Sequence, residues 1–476
     1  MNKQLVAAGL TFLLLFACVQ KSTAQKGYKI TVRIEGFADS LALLASYNGD
    51  KQFVVDTALI STRQSYIFTG NKPLPEGMYF IAGADKSKLF DFIVSGKQDF
   101  TITGKRSNLQ NTLSAPGSED NTLFFGYVKY LADKQKEQSA LLARRKTLSA
   151  FMDSLAVVEN QINLLNDEVK WHISGIIYQH PESFTALFLK SMEEVTIPEA
   201  PLLPDGKTDS TFAFRYYKAH FWNNLNLADD RLVRTPFLHS KVELYLNKLT
   251  IPAPDSLVAA IDYLFKMTQG NAESFKYLMW YLTIRFESSE IMGYDAIFVH
   301  LVDTYYNGPN MEWMNPTVKQ NLEKRAKTLK PLLIGKQAPE MILLDTLRMP
   351  RSLTEIAAKY TLIYFWDPDC GHCKKETPVL VDFYNKNKLN FDVEVYAVCM
   401  DTSFTNMKAY IISNKMNFIN VNGFYSVTPD FRELYDVHSS PVMYLLDKNK
   451  KIIAKRLLTA GMSDFLEKFT GKNVIK

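Results

Sequence analysis

The chain is 476 residues long, 47% apolar and 13% aromatic, with 55 basic against 50 acidic residues and a net charge of +5. That length exceeds one ordinary hydrophobic core and predicts two to four domains. So weak a net charge, without a Lys/Arg block or an alternation of basic and aromatic residues, excludes a nucleic-acid footprint.

The N-terminus reads MNKQLVAAGLTFLLLFACVQKSTAQKGY. Lys3 precedes an apolar run from Leu5 to Phe16, too short to span a bilayer comfortably and suited to the h-region of a secretory signal over residues 1–24. Two processing routes stay open. Ser22-Thr23-Ala24 is a small-x-small cleavage site, and the tail leading to it favours simple cleavage. Leu15-Phe16-Ala17-Cys18 resembles a lipobox, in which Cys18 would carry a lipid anchor. Both routes predict an exported protein. A buried N-terminal helix is the remaining reading of this stretch. No later segment holds 18 uncharged apolar residues, so a soluble or merely tethered mature protein is expected.

From 27 to 110, TVRIEG, LALLASY, QFVVDTALI, QSYIFTG, GMYFIAG, FDFIVS and FTITG are β-branched and aromatic runs punctuated by turn residues. This spacing predicts a small antiparallel β-sandwich whose aromatic residues form its core. From 118 to 330 apolar and charged residues alternate at helical spacing, interrupted by the proline-rich loop IPEAPLLPDGK. The histidines of that stretch are scattered singly, without the spacing a metal site needs. After the linker LLIGKQAPEMILLD, the C-terminal part, residues 335–476 overall, alternates strand and helix, then ends in a hairpin and a closing helix. The predicted fold class is therefore multidomain α+β: an antiparallel β-sandwich, a central all-α segment and a C-terminal α/β layer structure with a mixed sheet.

Chemistry concentrates in YFWDPDCGHCKKETP, Tyr364 to Pro378. Cys370 and Cys373 stand where a buried strand gives way to a helix. A helix start offers unpaired N–H groups and a partial positive charge, both of which favour a thiolate on the first cysteine. His372, if protonated, acts in the same direction, while Asp367 and Asp369 oppose it. Cys373, one turn in, is the natural resolving thiol, since two-residue spacing lets the sulfurs meet. A zinc half-site needs a second Cys/His pair that the chain lacks, so no metal is expected, and no cofactor is called for. Cys399 falls in a predicted strand and reads as a small buried hydrophobe. Glu376, one turn beyond Cys373, reads either as a proton shuttle or as an ordinary surface carboxylate. Pro441, opening the strand VMYLLD, reads as a turn residue or as a cis-proline beside the site.

FWDPDCGHCKKETP, the strand ending at Asp401 and SSPVMYLLD before a hairpin together resemble the thioredoxin-like superfamily, in particular its exported TlpA/ResA-type thiol-disulfide oxidoreductases. The resemblance covers nearly a third of the chain. It implies Cys370 as the attacking thiol, Cys373 as the resolving thiol, Glu376 as a helix carboxylate near them, and Pro441 as a cis-proline facing them. Ser440 is implied to bond client backbone, with Trp366 and His372 as further client contacts, and Pro378 matches a helix-kinking proline. Tyr364 stands where many cytoplasmic thioredoxins carry a buried Asp, which removes that proton route. Gly371-His372 resembles the dipeptide of protein disulfide isomerases and implies a less reducing couple than thioredoxin's. The upstream regions resemble two uncharacterised domains often fused to such domains in Bacteroidota, which implies a periplasmic or outer-membrane-associated setting. The implied partners are cysteine-containing exported proteins and an unidentified redox partner that resets the pair. Two other functions compete: an envelope adaptor whose upstream domains recognise a partner while the cysteines switch it, and a peroxiredoxin. The latter wants a Thr or Ser where this chain has Asp367-Pro368-Asp369.

Overall fold

The structure is a computed structural model that describes residues 27–148 and 152–471. The signal segment 1–24 and Cys18 lie outside the described residues.

Seven strands open the described chain: β1 (Tyr28–Glu35), β2 (Leu41–Asn48), β3 (Lys51–Leu59), β4 (Tyr66–Gly70), β5 (Gly77–Ala82), β6 (Lys88–Val94) and β7 (Asp99–Lys105). They form two sheets, ordered β4-β1-β7 and β3-β2-β5-β6. Period-two alternation explains the strands: Ile30 and Val32 of β1, like Ala42 and Leu44 of β2, point inward and are wholly buried. The two sheets meet through aromatic side chains, with Phe92 of β6 edge to face with Phe100 of β7 at 6.3 Å between ring centroids. One ladder departs from the antiparallel pattern. β1 and β7 pair in parallel, from Lys29 opposite Asp99 to Glu35 opposite Lys105.

Two long helices follow, α1 (Glu119–Thr147) and α2 (Met152–Gln179), then α3 (Phe184–Met192). Ser118 caps α1, whose first turn is acidic and whose last turn carries Arg144, Arg145 and Lys146, so both ends suit the helix dipole. The buried Asn121 side chain bonds both the N–H and the C=O of Ile93 in β6, each at 2.7 Å. Asp120 accepts the N–H of Thr185 at the start of α3 at 2.8 Å. These bonds tie the first helices to the strands. The chain accordingly divides inside the stretch 118–330: the described residues up to 193, with 234–236, form one compact unit, and residues 194–233 with the chain from 237 onward form the other.

The second unit continues with α4 (Phe212–His220), α5 (Leu238–Lys248), α6 (Pro254–Met267), α7 (Ala272–Glu287), α8 (Asp295–Tyr305) and α9 (Pro316–Leu329). Asn271 and Asn315 cap α7 and α9 through their side chains, and Pro316 occupies the first turn of α9, where a missing N–H costs nothing. After α9 come β8 (Ile342–Asp345), β9 (Pro350–Ser352), β10 (Tyr360–Trp366), α10 (Gly371–Phe391), β11 (Val393–Cys399), α11 (Phe404–Ser413), β12 (Ile419–Ser426), α12 (Phe431–Tyr435), β13 (Val442–Leu446), β14 (Ile452–Lys455) and α13 (Met462–Phe469). One mixed sheet results, ordered β14-β13-β10-β11-β12-β8-β9. β10, β11 and β12 run parallel at its centre, and β13 lies antiparallel to β10. All seven residues of β10 are buried, as a strand covered on both faces requires.

The helices of this unit are clamped to the sheet by buried charge. Lys455, with 6% of its side chain exposed, bonds Asp295 of α8 and the carbonyl of Leu332 at 2.8 Å. Burial pushes the Lys455 ammonium below its ordinary pKa and Asp295 pulls it back up. Arg456 reaches the carbonyl of Ser289 at 3.4 Å.

Candidate active site

β10 delivers the chain to a tight turn at its C-terminal end. Asp367 accepts the N–H of Asp369 on its side chain at 2.8 Å and that of Cys370 on its carbonyl at 3.2 Å. The next residue, Cys370, is the N-cap of α10, with extended backbone angles (φ −72°, ψ 119°). Its sulfur accepts the backbone N–H of Cys373 at 3.4 Å. A sulfur thus fills the position that Ser, Thr, Asp or Asn usually takes at a helix start.

The electrostatics of the two thiols diverge. Burial works against a thiolate on Cys370, but the Cys373 N–H, the Ser440 side chain and the His372 N–H outweigh it and hold the thiol below its ordinary pKa. In its neutral form the same sulfur lies 3.2 Å from the Ser440 carbonyl and donates to it. That contact favours the thiol, and the donors at the helix start are more numerous. Cys373 is wholly buried, and burial pushes it up to about 11. Both are free thiols, the first half-buried and the second enclosed. Cys399, opposite Trp366 on the neighbouring strand, is a third buried thiol, pushed up to about 12 by burial.

The Ser440–Pro441 peptide is cis, and both residues are half-buried. The Ser440 contact brings this loop, 70 residues downstream, against Cys370. Glu376 is half-buried one turn beyond Cys373, and its carboxylate accepts the N–H of Thr459 at 2.8 Å. It therefore fastens the segment after β14 to α10. His372 is exposed at the helix start, and Pro378 lies inside α10.

Trp366 is a correction. Expected to touch a client, it is 0% exposed, the last residue of a strand buried on both faces, and it stacks on Tyr410 at 4.8 Å. It belongs to the same buried cluster as Cys373, against which Cys370 packs. Behind Cys373, the Tyr364 hydroxyl lies 2.8 Å from that of Thr377, to which Tyr410 also donates at 3.1 Å. Thr377, Tyr410 and Thr459 escape sequence reasoning because each reads as an ordinary helix or loop residue until the fold assembles them.

This arrangement, a stabilised thiolate at a helix cap with an enclosed second thiol one turn behind it, suits reversible disulfide exchange. Residues 334–455 match the family model described as AhpC/TSA family. A thiol-disulfide oxidoreductase ResA of Bacillus cereus is 27% identical over 129 residues, 26% of this chain and 68% of ResA. Among solved structures, a domain of a possible thiol-disulfide isomerase from Cytophaga hutchinsonii is 40% identical, spans 31% of this chain and 99% of its own, and superposes with a TM-score of 0.28. Residues 334–455 form a thioredoxin-like domain whose homologues are named thiol-disulfide oxidoreductases. ResA of Bacillus subtilis (strain 168) is 27% identical to this oxidoreductase over 130 residues, covering 27% of this chain and 69% of that one. A thioredoxin-like protein from Bacteroides caccae is 18% identical over 57% of this chain and 98% of its own, with a TM-score of 0.44. Upstream, residues 28–124 and 175–328 match two domains of unknown function, DUF4369 and DUF5106.

Proposed function

We propose that this oxidoreductase is exported and exchanges disulfides with cysteines of exported client proteins through Cys370 and Cys373. The observation that carries the reading is the pairing of a half-exposed, low-pKa Cys370 at the cap of α10 with a buried, high-pKa Cys373. The Cys370 thiolate attacks one sulfur of a client disulfide, forms a mixed disulfide and expels the other client sulfur as a thiolate. Cys373 then loses its proton and attacks the Cys370 sulfur, which releases the second client thiolate and leaves a Cys370–Cys373 disulfide. The client gains two electrons and the oxidoreductase loses two; the reverse sequence oxidises a client. A redox partner resets the pair. In this reading Glu376, half-buried one turn beyond Cys373, takes the Cys373 proton.

The export half of the reading rests on the apolar run and small-residue site at 1–24 and on the likeness to ResA. Among the described residues no helix is long and apolar enough to cross a membrane. A periplasmic or outer-membrane-associated setting, the latter through a lipid on Cys18, follows from the same segment.

The test is an equilibrium titration of the thiols against glutathione in the parent, in Cys370→Ser and in Cys373→Ser. A single two-electron couple in the parent, lost in both variants, is expected. A value near about −270 mV marks a reductant and one between about −180 and −120 mV an oxidant or isomerase. Absence of any couple in the parent sinks the redox reading.

A further inference from the structure

Beside the cis-proline loop lies a cavity of about 460 Å³ whose wall includes Ser439 and Pro441 on one side, Arg456 and Leu458 after β14 on another, and Glu290 from the loop after α7 with Arg325 from α9. It borders the loop that meets the reactive thiol: Ser439 and Pro441 of its wall flank Ser440, whose carbonyl lies 3.2 Å from the Cys370 sulfur. A polypeptide joined to Cys370 and running along this loop reaches the cavity within a few residues, at about 3.3 Å per extended residue.

The cavity is built to offer donors. Asp436, with a side chain only 4% exposed and a left-handed backbone (φ 50°), sits at its base. Arg325, Arg456 and His438 all face that carboxylate, at 3.9, 3.8 and 3.4 Å. The two guanidinium contacts are ion pairs too long for hydrogen bonds. Arg325 spends one terminal nitrogen on Glu287 at 2.7 Å, while its buried Nε has no hydrogen-bond partner among the described residues. Guanidinium N–H groups held in place by a buried acid and still short of acceptors suit backbone carbonyls or a carboxylate. Val442, Leu457 and Leu458 supply apolar wall for side chains.

We infer that this cavity is a client subsite: it receives the polypeptide flanking the client's reactive cysteine, whose carbonyl or carboxylate oxygens meet Arg325 and Arg456. The inference deepens the disulfide-exchange reading and rests on it. It gives the chain ahead of the thioredoxin-like domain a role in recognition, since Glu290 after α7 and Arg325 of α9 line the cavity. Glu290, the one acid on the exposed rim, lies where bulk would close the cavity without touching the cysteines.

The test uses the full chain with Cys373→Ser, so that Cys370 holds a stable mixed disulfide. Starting from the Cys370–glutathione adduct, an incoming thiolate attacks the Cys370 sulfur and releases glutathione thiolate, with no net oxidation. The incoming thiols are N-acetylcysteine amide and two hexapeptides of alanine and glutamate, with cysteine first in one and last in the other. Equilibrium adduct yields are read by mass spectrometry, with and without Glu290→Trp or Arg325→Met. One hexapeptide is expected to be favoured over N-acetylcysteine amide by about tenfold, the worth of one or two charged hydrogen bonds. Each cavity variant should bring that ratio to within about twofold of unity. A hexapeptide preference that survives both variants, or no preference in the parent, overturns the subsite. So does a parallel fall of all adducts, which a merely structural role would produce. Failure of every thiol to form an adduct overturns instead the underlying redox reading.

Discussion

The strand-rich region and the C-terminal domain are both sheets built on buried aromatic and β-branched residues, and the candidate site lies in the second. In the first, strands turn back into strands, as at Asn48 to Lys51, where the two flanking strands pair with one another along the ladder. In the second, the fully buried β10 runs into the start of α10, and a helix start leaves N–H groups that want an anion. Cys370 occupies that position and is driven toward a thiolate. Cys373, three residues on, is driven the other way by burial. Packing alone makes a core; a helix terminus at the edge of a core makes a nucleophile.

The comparison breaks most sharply at the cap. Cys370→Ser keeps an N-cap acceptor but removes the nucleophile, so thiol-disulfide exchange should disappear while thermal stability stays within about 1 kcal/mol of the parent. Exchange assays beside thermal melts check this. Cys373→Ser should instead accumulate mixed disulfides, visible as slower bands on non-reducing gels.

The second expected effect concerns the clamp between helices and sheet. Asp295→Ala leaves the Lys455 ammonium buried without its counter-ion and should cost about 3–5 kcal/mol in denaturant unfolding. The double change Asp295→Leu with Lys455→Met should recover most of that loss, because removing both charges also removes the burial penalty.

Alkylation sharpens the contrast between the two thiols. Cys370 titrates below its ordinary value and Cys373 at about 11, so at pH 7 iodoacetamide should label Cys370 faster by at least about a hundredfold. The sign follows from ionisation: labelling of Cys370 rises with pH and levels off once pH passes its lowered pKa, whereas Cys373 keeps gaining through pH 10. Peptide mapping after timed labelling reads both curves. Equal rates at pH 7 would contradict the electrostatic asymmetry.

The smallest effect separates two uses of Glu376. Glu376→Ala should cost about 1 kcal/mol by orphaning the Thr459 N–H, while Glu376→Gln keeps an acceptor and most of that stability. If the carboxylate also takes the Cys373 proton, Glu376→Gln slows resolution of the mixed disulfide despite its intact fold. Stopped-flow resolution rates discriminate.

Much of this was legible from residue order. The strands of the first region follow from period-two alternation, and the cysteine pair from its place between a buried strand and a helix. The parallel pairing of β1 with β7 was not legible, because nothing in either strand records which edge meets which. Nor was the partner of Trp366: the run that ends in it reads as a buried strand, but only the fold shows that Tyr410, 44 residues on, stacks on it.

By itself the sequence determined the local events: where strands and helices begin, that a thiol would cap α10, and that a second thiol would follow one turn later. These depend on neighbours within one or two turns, which residue order specifies directly. The tertiary structure alone decided the long-range events. Ser440 arrives 70 residues after Cys370, Thr459 arrives 83 after Glu376, and Arg325 arrives from a different helix to face Asp436. Such meetings follow from the order and direction of strands in the sheet, a property of the whole domain that no short window contains.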